Sequence, residues 1–245
     1  MRTVLITGAN KSIGFEKAKI LAKQGYHVYL GARDAAKGNE AVEKIKAEGI
    51  DNVEFLLIDV TDKVSIDAAQ RSVAEKGKGL DILINNAGIL GGYDQSAQTV
   101  DTALIREVFD TNFFGVINVT QAFLPLLKNS EQPVIVNVTS GLGSLTIHSD
   151  PESKFYHVKT AAYGPSKTAL NAYTVVLAYE LRDTNFKVNV VDPGYTATDF
   201  NNNSGPFKVE DSAAFVTSYA TLGAGGPTGK YFSHEFPENN YECPW

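Results

Sequence analysis

The sequence predicts one α/β domain over residues 1–245, built as a doubly wound, mostly parallel sheet with helices on both faces. Three observations support this fold class. Short apolar runs of strand length alternate with longer amphipathic runs of helical period. Glycine or aspartate stands at several of the junctions between them, and no repeat, low-complexity tract or linker divides the chain. Such alternation favours parallel strands joined by right-handed helical crossovers.

The first half of the chain contains the clearest strand–helix units. Asp34 is placed to cap a helix by accepting backbone N–H bonds, and Gly25 and Gly49 end helices because glycine readily adopts the left-handed conformation. The predicted strands cover residues 3–6, 27–30, 53–58 and 80–84, and the predicted helices cover residues 12–24, 34–48 and 62–75.

The second half is less regular. A long helical region over residues 100–128 is predicted to be interrupted near Asn112 or Gly115 and kinked at Pro125. Proline lacks an amide hydrogen and fits best in a first helical turn, so Pro165 predicts a helix that begins at Ala161 or Ala162 and runs to residue 182. The remaining predictions are strands at 134–138, 187–191 and 231–232, a helix at 209–222, a turn-rich loop at 201–206, and a loop with a short helix at 140–160.

Composition excludes several classes of function. The chain has 22 Lys and Arg against 28 Asp and Glu, and its net charge of -6 disfavours binding to nucleic acid or anionic membranes. The N-terminal apolar run is too short for a signal peptide and no run has membrane-spanning length, so a cytoplasmic protein is expected. Cys243 is the single cysteine, which rules out an internal disulfide, and no Cys or His cluster has the spacing of a metal site.

Ligands of doubly wound sheets bind at the carboxyl ends of the strands, so the residues at those ends are the candidate site. After the first strand comes a glycine-bearing turn, in which the backbone can approach a dinucleotide diphosphate and the next helix offers free amides. A plain strand-to-helix turn is the alternative interpretation. The candidate cofactor-binding residues of this turn are Gly8, Asn10, Lys11, Ser12, Ile13 and Gly14.

The end of the second strand indicates which dinucleotide is bound. An acidic residue there would hold the adenosine ribose of NAD, but this chain has Arg33. Arg33 and Lys11 place cations where a 2′-phosphate would lie, which favours NADPH over NADH. The alternative is that both are solvated surface cations.

The later strands end in small and polar residues. Asp59, which precedes Val60, could accept a hydrogen bond from the adenine amino group or serve as a turn or N-cap aspartate. The sixth strand could hold a carboxamide with backbone groups and threonine hydroxyls. The remaining candidates for cofactor binding are Val60 after the third strand, Asn86, Ala87 and Gly88 after the fourth, and Pro193, Gly194, Thr196 and Thr198 after the sixth.

Tyr163 and Lys167 lie four positions apart on one predicted helix and therefore share a face. An ammonium near the phenol would lower the pKa of Tyr163 and improve it as a proton donor at neutral pH. Ser140, at the end of the fifth strand, gains a functional role if it reaches Tyr163. A solvated helix face is the competing interpretation of the pair.

Together these residues resemble the short-chain dehydrogenase/reductase superfamily over nearly the whole chain, which implies a Rossmann fold. The matching pieces, in order, are Thr7-Gly8-x-x-x-Ser12-x-Gly14, Asn86-Ala87-Gly88, Asn112, Ser140, Tyr163-x-x-x-Lys167 and Pro193-Gly194. The turn and the segment from Pro193 to Asp199 look most similar to carbonyl-reductase-like, NADPH-dependent members.

The resemblance implies a role for each catalytic residue. Tyr163 would donate the proton, and Ser140 would hold the substrate oxygen. Lys167 would bind the nicotinamide ribose and lower the pKa of Tyr163, while Asn112 would hold a water of the proton relay. The implied reaction is NADPH-dependent reduction of a ketone or aldehyde, without a metal.

Two features depart from the family pattern. Ser12 stands where the family usually has a glycine, and its hydroxyl could compensate by bonding a phosphate. Ser140 and Tyr163 are 23 positions apart, which implies an insert that is shorter than in carbonyl-reductase-like monomers and leaves the protein a monomer or a small homo-oligomer. Apolar residues that could wall a substrate pocket are Ile147, Phe155, Tyr156, Tyr195, Phe200 and Phe207.

Two rival functions stay open at this stage. The same fold could serve a non-catalytic nucleotide sensor. The chain could also be a specialised fatty-acyl or steroid ketoreductase, because specificity lies in the loops at 142–160 and 199–208.

Overall fold

The computed structural model describes residues 1–245 and contains one sheet of seven parallel strands in the order β3-β2-β1-β4-β5-β6-β7. The strands are β1 (Thr3–Ile6), β2 (His27–Ala32), β3 (Val53–Leu57), β4 (Ile82–Asn85), β5 (Val134–Val138), β6 (Lys187–Asp192) and β7 (Tyr231–Ser233). The helices are α1 (Ser12–Lys23), α2 (Ala35–Lys46), α3 (Lys63–Glu75), α4 (Thr102–Phe109), α5 (Gly115–Leu127), α6 (Leu145–Ser149), α7 (Tyr163–Glu180) and α8 (Val209–Ala220). The predicted doubly wound α/β fold is confirmed.

Two apolar layers enclose the sheet. On one face α1, α2 and α8 cover side chains such as Val4 and Val136; on the other, α3, α5 and α7 cover side chains such as Leu5 and Ile135. Alternate residues of each strand therefore enter opposite layers, as the pleat of a strand requires. Because β1 and β4 are adjacent while their crossovers lie on opposite faces, the strand order reverses between them and leaves a crevice there.

Local signals in the sequence correctly predicted most helix boundaries. The Asp34 carboxylate accepts a bond from the Lys37 amide at 3.1 Å, and Gly25 and Gly49 adopt φ values of 88° and 80° after their helices. Helix α7 begins at Tyr163, one or two residues after the predicted start at Ala161 or Ala162, and Pro165 lies in its first turn as expected. The helix α5 continues through Pro125 to Leu127.

The predicted interruption of the long helical region is also observed. Residues Asp110–Phe114 form one π-helical turn between α4 and α5, with Asn112 in its centre. Single π-turns in otherwise α-helical segments often mark functional sites. No helix of the structure has the length and apolar character needed to cross a membrane.

Candidate active site

The turn after β1 leads into the N-terminus of α1 without a side-chain cap. Asp34, Asp62 and Asp101 cap α2, α3 and α4, but no side-chain oxygen caps α1. The backbone N–H groups of residues 12–14 find no acceptor within the chain. Free amides at the positive end of a helix dipole favour anions, so the start of α1 has the donors that a phosphate would need, and phosphate binding there stays a prediction.

Ser12 adopts a φ of 50°, in the left-handed region that favours glycine. Its hydroxyl donates to Asp199 Oδ1 at 2.7 Å, and Lys11 forms an ion pair with the same carboxylate. The hydroxyl suggested as a phosphate ligand is thus bonded to the loop that follows β6. Asp199 crosses the mouth of the turn, and its pKa is lowered by its bonds to Lys11 and Ser12.

A basic cleft of about 280 Å³ lies beside the turn, between it and α2. Its lining residues are Asn10, Lys11, Lys37, Glu40, Ala41 and Lys44. Glu40 pairs with Lys44 at 2.7 Å, whereas Lys37 is 3.7 Å from the Asp34 carboxylate. Arg33 is exposed at the end of β2. Lys37 was not predicted from the sequence, although its place in the first turn of the helix after Arg33 could have indicated it.

Asp59 follows β3 and serves its own turn in this structure. Its Oδ1 accepts bonds from the amide and hydroxyl of Thr61, at 2.9 and 2.8 Å. The turn interpretation is therefore confirmed, and contact of Asp59 and the buried Val60 with an adenine stays a prediction.

Asn86 joins the end of β4 to the turn after β1. Its Nδ2 donates to the carbonyls of Thr7 and Gly8 at 2.8 and 3.0 Å, and its backbone amide donates to Thr7 Oγ1 at 3.0 Å. A Cβ on Gly8 would lie 2.9 Å from Ala87 Cα, so a glycine is needed there for the two loops to touch. The close approach of these loops brings the phosphate turn and the Asn86–Gly88 segment into one wall.

Asn112 is fully buried and fixed through both ends of its amide. Its Oδ1 accepts from the Ile89 amide at 2.9 Å, and its Nδ2 donates to Ile89 O at 2.9 Å and to Ser166 Oγ at 3.1 Å. The π-turn therefore connects the loop after β4 with the first turn of α7, close to Tyr163.

Tyr163 begins α7, and three groups position it. Gln95 Oε1 accepts from the backbone amides of Ala162 and Tyr163 at 3.1 and 2.9 Å, which caps the helix. The ring of Tyr163 packs edge-on against Phe200 at 5.7 Å, and Lys167 Nζ lies 5.8 Å from the Tyr163 ring centroid. Gln95 is 68 positions from Tyr163, and no local pattern in the sequence indicates this cap.

Lys167 and Ser140 converge on the same place. Lys167 is only 4% exposed, and its ammonium donates to the carbonyl of Val138 at 2.9 Å, beside Gly88. Ser140 is held by the Tyr231 hydroxyl, which donates to Ser140 O at 2.6 Å. The structure thus brings Asn112, Ser140, Tyr163 and Lys167 together, as the sequence predicted.

The prediction that Lys167 lowers the pKa of Tyr163 is wrong for this structure. Burial is the main effect and raises the pKa of the phenol above its ordinary value of 10, the buried carboxylate of Asp192 raises it further, and the adjacent Ser140 hydroxyl lowers it. Burial also lowers the pKa of Lys167 to about 8. Desolvation therefore dominates the Tyr163 pKa, and Lys167 is not among the groups that shift it.

Asp192, at the end of β6, is a buried carboxylate for which the sequence predicted no role. Ser233 Oγ donates to its Oδ2 at 2.7 Å and the Gly194 amide to its Oδ1 at 3.0 Å. Burial raises the pKa of Asp192 to about 6, against these hydrogen bonds. At neutral pH an anionic Asp192 faces Tyr163 and Lys167.

The segment after β6 is ordered by its own bonds. Pro193 and Gly194 form the turn, with Gly194 at a φ of 79°. The Thr196 hydroxyl bonds Gly194 O at 3.0 Å and Ser212 Oγ at 2.6 Å, and Thr198 forms a reciprocal cap with residue 201. Their contact with a carboxamide stays a prediction.

The predicted apolar wall is only partly assembled around Tyr163. Phe200 contacts the Tyr163 ring, and Phe155 packs close to Gly141, beside Ser140. Phe207 stacks on His234 at 4.4 Å instead. Tyr195 Oη donates to Ser204 Oγ at 2.6 Å. Tyr156 and Ile147 stay predictions as pocket residues.

Comparison with known proteins identifies relatives. The family model described as short chain dehydrogenase matches residues 2–208. The chain is 32% identical to a (+)-neomenthol dehydrogenase of Capsicum annuum over 300 aligned positions that cover 94% of this chain and 95% of the relative. Because that alignment is longer than 245 residues, the relative contains segments that this chain lacks.

Two solved structures share the fold. The salutaridine reductase of Papaver somniferum superposes with a TM-score of 0.83 at 31% identity, covering 96% of this chain and 100% of that one. The NADPH-bound carbonyl reductase from chicken fatty liver superposes with a TM-score of 0.85 at 29% identity, covering 100% and 99%. The similarity extends across the site, since all four candidate catalytic residues fall within the matched residues.

Proposed function

Because the chain belongs to the short-chain dehydrogenase family and is an oxidoreductase, we propose that it reduces a ketone or aldehyde to an alcohol with NADPH, with Tyr163 as the proton donor. The observation that carries this proposal is the convergence of Asn112, Ser140, Tyr163 and Lys167 beside an uncapped helix N-terminus.

The residues around the turn fit NADP(H). The free amides at the start of α1 match a diphosphate, which needs donors and a positive helix end. Arg33, Lys11 and Lys37 supply cations on the side of α2, where an adenosine 2′-phosphate would bind. The NADPH-bound carbonyl reductase among the structural relatives supports the same choice. When bound, the cofactor supplies the hydride.

The chain's own residues would handle the proton and the substrate oxygen. The Tyr163 phenol is protonated at neutral pH, the form that a proton donor requires, although its raised pKa makes it a weaker acid than an exposed tyrosine. The Ser140 hydroxyl beside it would donate to the same substrate oxygen and favour charge that develops there. Lys167 would hold the ribose, and Asn112 would fix a water behind α7.

Phe200 covers the Tyr163 ring and would exclude water from the proton-transfer site. Phe155 beside Ser140 and Phe200 against Tyr163 give part of the site an aromatic lining, which suits a substrate whose carbonyl is its main polar group. The named relatives include a neomenthol dehydrogenase and a salutaridine reductase, and the structure of a menthone neomenthol reductase from Mentha piperita also resembles this chain, which supports a small-molecule carbonyl substrate.

The test is nicotinamide absorbance with NADPH and a panel of ketones and aldehydes that includes menthone. Tyr163→Phe should bind NADPH and lose at least about 10³-fold in kcat, because the proton donor is removed while the ring is kept. Tyr179→Phe, an exposed tyrosine on the same helix, is the matched control and should keep wild-type turnover. A Tyr163→Phe protein with most of its kcat would refute the assignment. Binding of NADPH without turnover of any carbonyl would favour a nucleotide sensor.

A further inference from the structure

Lys17 is a fully buried lysine on α1, and the proposed mechanism does not use it. Its side chain is 0% exposed. Its Nζ donates to Asn86 Oδ1 at 2.5 Å. Lysine is almost never fully buried unless it is paired, because an ammonium loses its hydration there. A buried lysine with a single amide acceptor therefore requires an explanation.

The surroundings of Lys17 supply no negative charge. None of the ion pairs in the structure includes Lys17. The charged group that faces it is another cation, Lys167 on α7. The pKa of Lys17 is lowered to about 7, mainly by burial and in second place by the charge of Lys167. The buried face of α8, which also packs against α1, carries no titratable group; it consists of Ser212, Ala213, Val216, Thr217 and Ala220.

Lys17 is connected to the phosphate turn through one residue. The Asn86 side chain that accepts from Lys17 donates to the carbonyls of Thr7 and Gly8, at the start of that turn. Asn86 Nδ2 would also lie 2.7 Å from a Cβ on Gly14, so it touches the first turn of α1. Lys17 follows one helical turn later on the same buried face. Because Asn86 contacts both Lys17 and this turn, an anion bound at the turn would be coupled to the charge on Lys17.

We propose that Lys17 takes up a proton when NADP(H) binds, so that the cofactor's phosphates and this buried ammonium stabilise each other across the turn. The proposal rests on the proposed cofactor. Lys17 is a positioning residue in this role, because it acts through Asn86 and through its charge and does not touch the reacting atoms. Reciprocity of linkage requires that cofactor affinity then fall as the pH rises through the titration of Lys17.

The experiment is calorimetric titration of the full-length protein with NADP+ at pH 7.5, in two buffers of different ionisation enthalpy. Per bound NADP+, the wild type should take up roughly 0.5 proton more than Lys17→Met. Between pH 6.5 and 8.5 the affinity of the wild type for NADP+ should fall about 3- to 10-fold more than the affinity of Lys17→Met. The comparison cancels the titration of the ligand's own 2′-phosphate. Lys23→Met, on the same helix but exposed, should behave as wild type.

A second variant covers the case in which Lys17→Met does not fold. Lys17→Arg keeps the charge but does not titrate, so it should bind NADP+ without the additional proton uptake. Equal proton uptake by wild type and a folded variant would overturn the inference. Absence of NADP+ binding to the wild type would instead refute the proposed cofactor.

Discussion

Replacement of Lys17 by methionine should make the cofactor-free protein more stable, and the gain should depend strongly on pH. Methionine has a similar length and no charge to desolvate. Burial lowers the pKa of Lys17 from 10.5 to about 7, which at about 1.4 kcal/mol per pH unit corresponds to about 5 kcal/mol of lost stability below pH 7. Lys17→Met also loses the hydrogen bond to Asn86, which lowers its stability by about 1 kcal/mol, so its net gain in stability should be about 4 kcal/mol at pH 6.

The direction of the pH dependence follows from the two protonation states. Between pH 7 and 10.5 the unfolded chain keeps the Lys17 proton while the folded chain has lost it. Stability of the wild type therefore rises with pH in this window, since the unfolded state binds more protons. The advantage of Lys17→Met should shrink across the same window, to under about 1 kcal/mol at pH 9.5.

Urea denaturation of both proteins at several pH values between 6 and 9.5 measures this difference directly. The free energy of unfolding should fall with urea concentration at the same slope in both proteins, so that the transition midpoints report stability. Lys23→Met serves as control and should stay within about 0.5 kcal/mol of wild type throughout. A difference between Lys17→Met and wild type that stays constant over this range would show that Lys17 does not titrate there and would refute the reasoning.

Three further predictions concern charges near the site. Asp192→Asn removes a charge that raises the Tyr163 pKa, so the apparent pKa of the pH–rate profile for alcohol oxidation should fall; an unchanged profile would contradict this. Asp199→Asn frees Lys11 and should tighten NADP+ binding about 3-fold by calorimetry, whereas weaker binding would show that Asp199 does not compete with the cofactor. Arg33→Asp should shift the NADPH/NADH ratio of kcat/KM toward NADH by at least about 10-fold, and retained selectivity would exclude Arg33 as the discriminating residue.

The sequence predicted the fold and much of the site because their signals are local. Strand and helix periodicity, the Asp34 cap and the glycine at position 25 act within a few residues. The break at Asn112 was predicted from a single segment in the same way. The order of these local units determines the parallel sheet, and the sheet brings the strand ends together.

The parts that the sequence did not predict depend on contacts between distant segments. Asp199 reaches Lys11 across 188 positions, and nothing near either residue indicates the pair. Lys17 belongs to a helix whose pattern gives no reason to bury a lysine. The raised pKa of Tyr163 has the same origin. The Tyr163–Lys167 spacing can be read from the sequence alone, whereas desolvation of the phenol depends on the whole surrounding structure.

The strand β7 supports the catalytic loop, and this affects when the site can form. Tyr231 holds the backbone of Ser140 and Ser233 holds Asp192, yet both lie after every candidate catalytic residue in the chain. During translation Asn112, Ser140, Tyr163 and Lys167 leave the ribosome before β7 is made, so a nascent chain has the reactive groups without their support. The edge of β6 that β7 later covers is exposed in the meantime, and unpaired strand edges invite association with other chains. Support of the Ser140 loop and protection of the β6 edge are therefore acquired in the same late step of folding.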